Sequence, residues 1–293
     1  MLKFSQKQKG IISLVGLAFT YASFGFFTRY LSVSFGFFQQ LYLRILAGLI
    51  IGFIIFGRNF NFSKLKKTTK MEWVLIIFRA VAYYLLGAAL FNKAVLLTKI
   101  STVAFIGSIP MTAILGFTIM REKTSLKKIG YIALSFIGVM VISIQNISDI
   151  FSWGRGETLA LMSCFFASLS IVFRKYQTKL LNNIEITQLQ LFFAFIAILI
   201  SSFLVKEGLP LSNWSYGVVF MIILSGLANV LMIFFTNYGF EHVKTSIASN
   251  ILTLEMFFAV IFGFLIFKEI PTVKEIFGGA LILFSVIKMN KLE

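Results

Sequence analysis

What most restricts the fold of this chain is a series of ten apolar blocks, each close to the length needed to cross hydrocarbon, separated by short charged punctuation. A bilayer core takes about 20 apolar residues of helix. The blocks fall at 11–31, 37–57, 73–92, 100–120, 129–147, 157–173, 186–205, 214–236, 246–267 and 273–289. With 58% of 293 residues hydrophobic, 13% charged and a mean hydropathy of +0.91, too little polar surface exists to coat a water-soluble globule of this size. A transmembrane barrel would show strict alternation over roughly ten-residue segments. Runs such as Ile50 to Phe56 and Leu191 to Ile200 do not alternate. The expected fold is therefore all-α and integral to a membrane, with ten transmembrane helices.

Lys3, Lys7 and Lys9 precede an apolar run that continues to Arg29 with no small-residue cleavage site, so the first span is expected to be retained. The single cysteine, Cys164, sits in an apolar block, which excludes an intrachain disulfide and zinc sites of the Cys-x-x-Cys type. A net charge of +16 suggests nucleic acid, but its distribution points elsewhere. The segments on the side of the N-terminus hold Lys3, Lys7 and Lys9; Arg58, Lys64, Lys66, Lys67 and Lys70; Arg121, Lys123, Lys127 and Lys128; Arg174, Lys175 and Lys179; then Lys244, Lys288 and Lys291. The opposite side holds Arg29, Lys93, Lys99, Arg155, Lys206, Lys268 and Lys274. This bias follows the positive-inside rule, placing both termini in the cytoplasm of a cell inner (plasma) membrane, with anionic lipid headgroups as the counter-charge and no nucleic acid partner.

The two halves resemble each other. A shift of 147 sets Glu122 on Glu269, Lys127 on Lys274, Ile129 on Ile276, Ala133 on Ala280, Leu134 on Leu281 and Val139 on Val286. A shift of 145 or 146 pairs Lys99 with Lys244, Ser101 with Ser246, Ser108 with Thr253, Phe19 with Phe165, Phe27 with Phe173 and Tyr30 with Tyr176. The stretch from Asn146 to Gly156, with Asp149, Trp153 and Gly154, is the natural boundary, giving repeat one over 1–147 and repeat two over 156–289. Five helices per unit is an odd number, so the second unit enters the membrane from the other side. Such inverted repeats place a substrate site near the midplane between halves.

Pro110 followed by an apolar run to Glu122 and then Gly130 and Gly138, Glu255 followed by an apolar run to Glu269 and then Gly278 and Gly279, and Arg44 in the second span together carry a resemblance. On these residues the chain resembles the drug/metabolite transporter superfamily, specifically the EamA type with two five-helix repeats, over roughly residues 10–288. It departs from the family's Glu-Pro pair, which is split here between Ile109-Pro110 and Glu255-Met256. If proline kinks that helix in relatives, the ninth span is expected to be straighter. The resemblance implies transport of a small metabolite by rocking of the two repeats about a central cavity; amino acids and related metabolites, nucleotide sugars and S-adenosylmethionine are among the superfamily's substrates.

Ionisable groups inside hydrocarbon are costly and usually face a cavity or a partner. Arg44, Arg79 and Glu255 lie well inside predicted spans. Glu255 either binds a cationic group or carries a proton, or it pairs permanently with an arginine or caps a helix kink and only holds the fold. Arg44, which shares a face with Gln40, and Arg79 each either hold a substrate anion or snorkel to the interface, and for Arg79 snorkelling is the expectation. Ser101, Phe105, Ser108 and Thr112 share one face of the fourth span, and Ser246, Asn250 and Thr253 one face of the ninth. Two matched polar stripes suit a shared cavity, although small polar residues also bring transmembrane helices together. Tyr83 and Tyr84 lie one turn beyond Arg79, Asn229 aligns with Tyr83 at a shift of 146, and Tyr21 with Ser23 adds an aromatic and polar lining. The candidate substrate-binding set is Glu255, Arg44, Tyr83, Asn229, Asn250, Ser101, Ser108 and Tyr21. His242 is expected in a short solvated turn with Glu241 and Lys244.

Enzyme classes fare badly. One aspartate, Asp149, cannot make an aspartyl protease dyad, one histidine cannot build a metal cluster, and no Walker-type glycine loop is present. No cofactor is expected. Three readings stand: a gradient-driven exporter of an amino acid or related zwitterion, with protons as a candidate coupling ion; uptake or exchange of a larger cation such as S-adenosylmethionine; and a scaffold or sensor without flux. Either a monomer or a homodimer is compatible.

Overall fold

The computed structural model describes residues 5–98, 103, 106–143, 153–177, 180–268 and 270–292, without the side chains at 25, 29, 92, 95, 96, 266 and 267. Ser101, Lys99, Phe105, Asp149 and Glu269 lie outside the described residues. Every regular element among the described residues is helical. Helices α1 (Gln6–Leu31) and α2 (Phe37–Phe56) are followed by α3 (Lys70–Ala80), which passes without interruption through a π-helical stretch, Val81–Ala88, into α4 (Ala89–Leu97). After Pro110 come α5 (Met111–Thr118) and α6 (Leu126–Ser143). The second half holds α7 (Arg155–Val172), α8 (Asn183–Leu204), α9 (Tyr216–His242), α10 (Thr245–Leu252), α11 (Leu254–Phe267) and α12 (Val273–Asn290).

Helix starts follow from local chemistry. Ser5 with Gln8, Thr69 with Glu72, Asn182 with Glu185 and Thr272 with Glu275 each form a reciprocal cap, in which two otherwise unsatisfied backbone N–H groups find side-chain oxygens. Two caps come from distant chain. Glu207 Oε2 accepts from the N–H groups of Phe38 (2.8 Å) and Gln39 (3.1 Å), and the Glu122 carboxylate from those of Thr245 (2.8 Å) and Ser246 (3.1 Å). Carboxylates favour helix N-termini because the aligned peptide dipoles leave partial positive charge there.

Eight described helical segments are long and apolar enough to cross a membrane: Gln6–Thr28, Phe37–Asn59, Lys70–Phe91, Leu126–Ser143, Arg155–Tyr176, Asn183–Leu204, Tyr216–His242 and Thr245–Leu265. Of the remaining two expected blocks, 100–120 runs over positions outside the described residues, and α12 is a full helix that carries Lys274, Glu275 and Lys288.

The principal helix pairs come in sets related by exchanging the halves. Helix α1 packs on α9 as α7 packs on the π stretch and α4; α2 packs on α9 as α8 packs on α3 and the π stretch; α1 packs on α10 and α11 as α7 packs on α5. The pairs α2 with α8, α5 with α10 and α6 with α12 map onto themselves. The last crossing is close enough that a Cβ on Gly138 would lie 2.7 Å from the Gly278 carbonyl oxygen, and one on Gly278 2.5 Å from that of Gly138. Only glycine lets the two backbones approach so closely.

Two expectations need correction. The ninth span is not continuous: its ladder is interrupted at Thr253, whose N–H (3.3 Å) and hydroxyl (2.6 Å) both donate to Asn250 O, and Met256 N–H donates to Thr253 O (3.2 Å). A threonine hydroxyl competing for a preceding carbonyl thus interrupts the helix where no proline is present. His242 is not in a solvated turn. It ends α9 half-buried, its ring stacked on Tyr238 at 4.4 Å and its Nδ1 2.9 Å from Tyr238 O.

Candidate functional site

The interruptions at Pro110 and Thr253 and the π stretch of the third span border one cavity of about 370 Å³. Its acidic group is Glu255, two residues past the break in the ninth span. Around it stand the phenols of Tyr21 and Tyr83, the hydroxyls of Ser108, Thr112, Ser163, Ser168, Ser249 and Thr253, and the Cys164 thiol. Phe91, Val139, Ile171, Leu252 and Met256 supply apolar wall. Few polar groups in a mostly apolar lining is the usual makeup of a small-molecule site.

Each polar group is placed by a local feature. Tyr83 and Tyr84 both lie in the π-helical stretch and, as adjacent residues of a helix, turn to different neighbours. The Tyr83 hydroxyl lies 2.9 Å from that of Tyr21 on α1 and 3.6 Å from Met232 Sδ. Tyr84 instead donates to Asn229 Oδ1 at 3.1 Å, and Asn229 Nδ2 donates to Ser225 O at 3.1 Å. On α7, Ala160, Ser163, Cys164, Ala167, Ser168 and Ile171 follow helical spacing and turn one face to the cavity. Thr112 donates to Ser168 Oγ at 3.0 Å, joining α5 to that face.

Glu255 accepts no hydrogen bond and forms no ion pair among the described residues. The permanent arginine pair considered from sequence is absent there, because both intramembrane arginines are engaged elsewhere. Arg44 is 3% exposed; its Nη1 donates to Thr28 Oγ1 at 3.0 Å and its guanidinium lies 4.7 Å from the centroid of the Phe24 ring. Arg79 is 1% exposed, which corrects the expectation that it snorkels. Its Nε donates to Ser170 O at 2.8 Å, its Nη2 to Asn237 Oδ1 at 2.8 Å and its Nη1 to Gln177 Oε1, while Asn237 Nδ2 goes on to Thr187 Oγ1 at 3.0 Å. Acceptors within the bundle replace the headgroups that a snorkelling side chain would seek.

The structure therefore brings Glu255, Tyr21, Tyr83 and Ser108 together in the cavity and sets Arg44, Asn229 and Asn250 apart from its lining; Ser101 lies outside the described residues. Asn250 Oδ1 accepts from Ser135 Oγ (2.7 Å) and Ser285 Oγ (3.1 Å), tying α10 to α6 and α12. In the ninth span the cavity keeps Thr253 of the expected stripe and takes Ser249 in place of Ser246 and Asn250. The serine and cysteine face of α7 was not singled out from sequence, though its signal was present: small residues at 160, 163, 164, 167 and 168 within an otherwise bulky apolar block.

The EamA-like transporter family model matches residues 8–144 and again 154–290. The chain is 25% identical over 273 residues, covering 84% of it and 74% of the relative, to the uncharacterized transporter sll1164 of Synechocystis sp.. It also shares a fold with a solved crystal structure at a TM-score of 0.78 and 12% identity, covering 98% of this chain and 99% of that one. With two matches that together span nearly its whole length, on a bundle of apolar helices around a lined cavity, this multi-pass membrane protein belongs to the EamA-like transporter family of the drug/metabolite transporter superfamily.

Proposed function

We propose that this protein is a secondary transporter of ten transmembrane helices, built as two inverted five-helix repeats over 1–147 and 156–289, that moves a small amine-bearing metabolite by alternating access. An amino acid or related zwitterion is the first reading. The observation that carries it is Glu255: a carboxylate without a partner among the described residues, lining a cavity bordered by helix breaks, where the low local dielectric strengthens its pull on a cation. In a zwitterion the anionic end would face the start of α5 at Met111, because broken helices in transporters offer the positive ends of their dipoles to anionic substrate groups. That assignment replaces the arginines first considered for this end. The absence of Arg44 and Arg79 from the lining supports a second reading, exchange or uptake of a larger organic cation. The termini are assigned to the cytoplasm on the distribution of lysine and arginine, in a cell inner membrane, and the chain is read as performing transport and no covalent chemistry.

The test is flux in proteoliposomes for a panel of amino acids, polyamines and S-adenosylmethionine, with and without a proton gradient, comparing the unmodified chain with Glu255→Gln and Arg44→Gln. The expected result is flux that Glu255→Gln abolishes or uncouples from the gradient and that Arg44→Gln retains in whatever protein still folds. Flux indifferent to Glu255→Gln removes the carboxylate from the site. No flux for any solute returns the chain to a scaffold or sensor.

A further inference from the structure

Two serines of α7 reach across to the third span with unequal spacing. Ser170 Oγ donates to Arg79 O at 2.8 Å, and Ser163 Oγ donates to Gly87 O at 2.6 Å. Seven residues of α7 are thus matched by eight of its neighbour. In an unbroken α-helix, positions seven apart return to within about 20° of one face, whereas positions eight apart diverge by about 80°. The π stretch, Val81–Ala88, takes up the extra residue between the two carbonyls and brings them back into phase. Serines in helices commonly bond back to a carbonyl of their own preceding turn; both of these bond across instead. Arg79 reinforces one end, since its Nε donates to Ser170 O at 2.8 Å.

Tyr83 and Tyr84 sit between these two fastenings. Tyr83 lines the cavity, and Tyr84, 2% exposed, turns to Asn229 outside it. We propose that Ser163 and Ser170 are positioning residues: by fastening the π stretch at both ends they hold the register that presents Tyr83, and not its neighbour, to the cavity. The proposal rests on the reading of that cavity as the substrate site, but the register itself can be measured without substrate.

In a full-length Cys164→Ser background, Tyr83→Cys and Tyr84→Cys are reacted in detergent with a small cationic methanethiosulfonate reagent. Tyr83→Cys is expected to react at least about tenfold faster, since burial restricts a thiol to rare local openings. Adding Ser163→Ala with Ser170→Ala is expected to bring the two rates to within about threefold or to reverse them, because the extra residue is no longer held in place. Ser163→Thr with Ser170→Thr, which keep the hydroxyls, should preserve the contrast. An unchanged contrast in a folded alanine pair overturns the proposal, as does Tyr84→Cys reacting faster with both serines intact. Should the alanine pair fail to fold, each single alanine replacement is read in the same way. Should those fail as well, loss of contrast in the threonine pair overturns it. Absence of flux in the transport assay would leave this contrast untouched, so the two proposals fail separately.

Discussion

Burial at Arg79 and openness at Glu255 divide the charged residues of the membrane interior by role. Arg79 has three protein acceptors, so replacing it by methionine removes a cation and leaves buried oxygens on Ser170, Gln177 and Asn237 short of a donor. Unsatisfied buried polar groups cost about 1–3 kcal/mol each. Arg79→Met is therefore expected to destabilise the folded protein by about 3 kcal/mol or more, seen as a lower melting temperature in detergent. Arg79→Lys should recover little of it, because an ammonium cannot reproduce the planar fork that serves three acceptors at once. A melting temperature unchanged in Arg79→Met would show that the network does not hold the fold. Glu255→Gln should leave melting nearly unaltered, since Glu255 has no hydrogen-bond or ion-pair partner among the described residues. Its effect belongs to the field in the cavity. Cys164 lines the same cavity and is the chain's single thiol, so the ratio of its labelling rates by cationic and neutral methanethiosulfonates reports that field. The ratio should fall by about three- to tenfold in Glu255→Gln, as expected for removing one nearby charge at intermediate dielectric. A constant ratio would mean that the carboxylate does not act on solutes in the cavity.

Among elements, the informative features are where helices cross closely and where they break. At the crossing of α6 and α12, each glycine faces the other's carbonyl. Gly138→Leu must therefore push the helices apart, at a cost of at least about 2 kcal/mol, and Gly130→Leu, whose added Cβ meets nothing within 4 Å, should cost little. Comparing the two variants by thermal melting separates the crossing from a general effect of leucine. At the breaks, Pro110 and Thr253 interrupt their helices by different chemistry, one by lacking an N–H and fixing φ, the other by a hydroxyl bond to Asn250 O. Thr253→Val keeps the shape and removes the hydroxyl. Amide exchange at Thr253 to Met256 is expected to slow in that variant as the regular ladder closes, and exchange that stays as fast would show the break to be held by packing. The split Glu-Pro pair was legible in the sequence, but its mechanical consequence was not, because a threonine inside a helix signals a bend only when its side chain turns back on its own backbone.

For the molecule as a whole, the exchange-related helix pairs and the two family matches suit oppositely oriented repeats. In a Cys164→Ser background, single cysteines at Thr124 and Ile270 should react with an impermeant thiol reagent from opposite sides of the membrane. Labelling from one side would sink the inverted arrangement and the alternating-access reading with it. The fold was readable because its cause is one-dimensional. Hydrophobic length dictates spanning helices; the local caps Thr69 with Glu72 and Thr272 with Glu275, which start two of them, emerged only with the structure.

The site was legible only in part, for a physical reason visible in particular residues. Tyr21, Tyr83, Ser108 and Glu255 stood out because polar groups in apolar helices must find a partner or a cavity, and they line one. Arg44, Asn229 and Asn250 carried the same cue and instead found partners in Thr28, Tyr84, Ser135 and Ser285. The sequence by itself determined that such groups, set inside apolar spans, need a partner, a cavity or an interface, since the cost of burying one bare depends on residue type. Which of them face a neighbour and which face open space depends on helix rotation and register. Those are set by contacts between segments far apart in the chain, such as Ser163 with Gly87 and Gly138 with Gly278, and only the tertiary structure decided them.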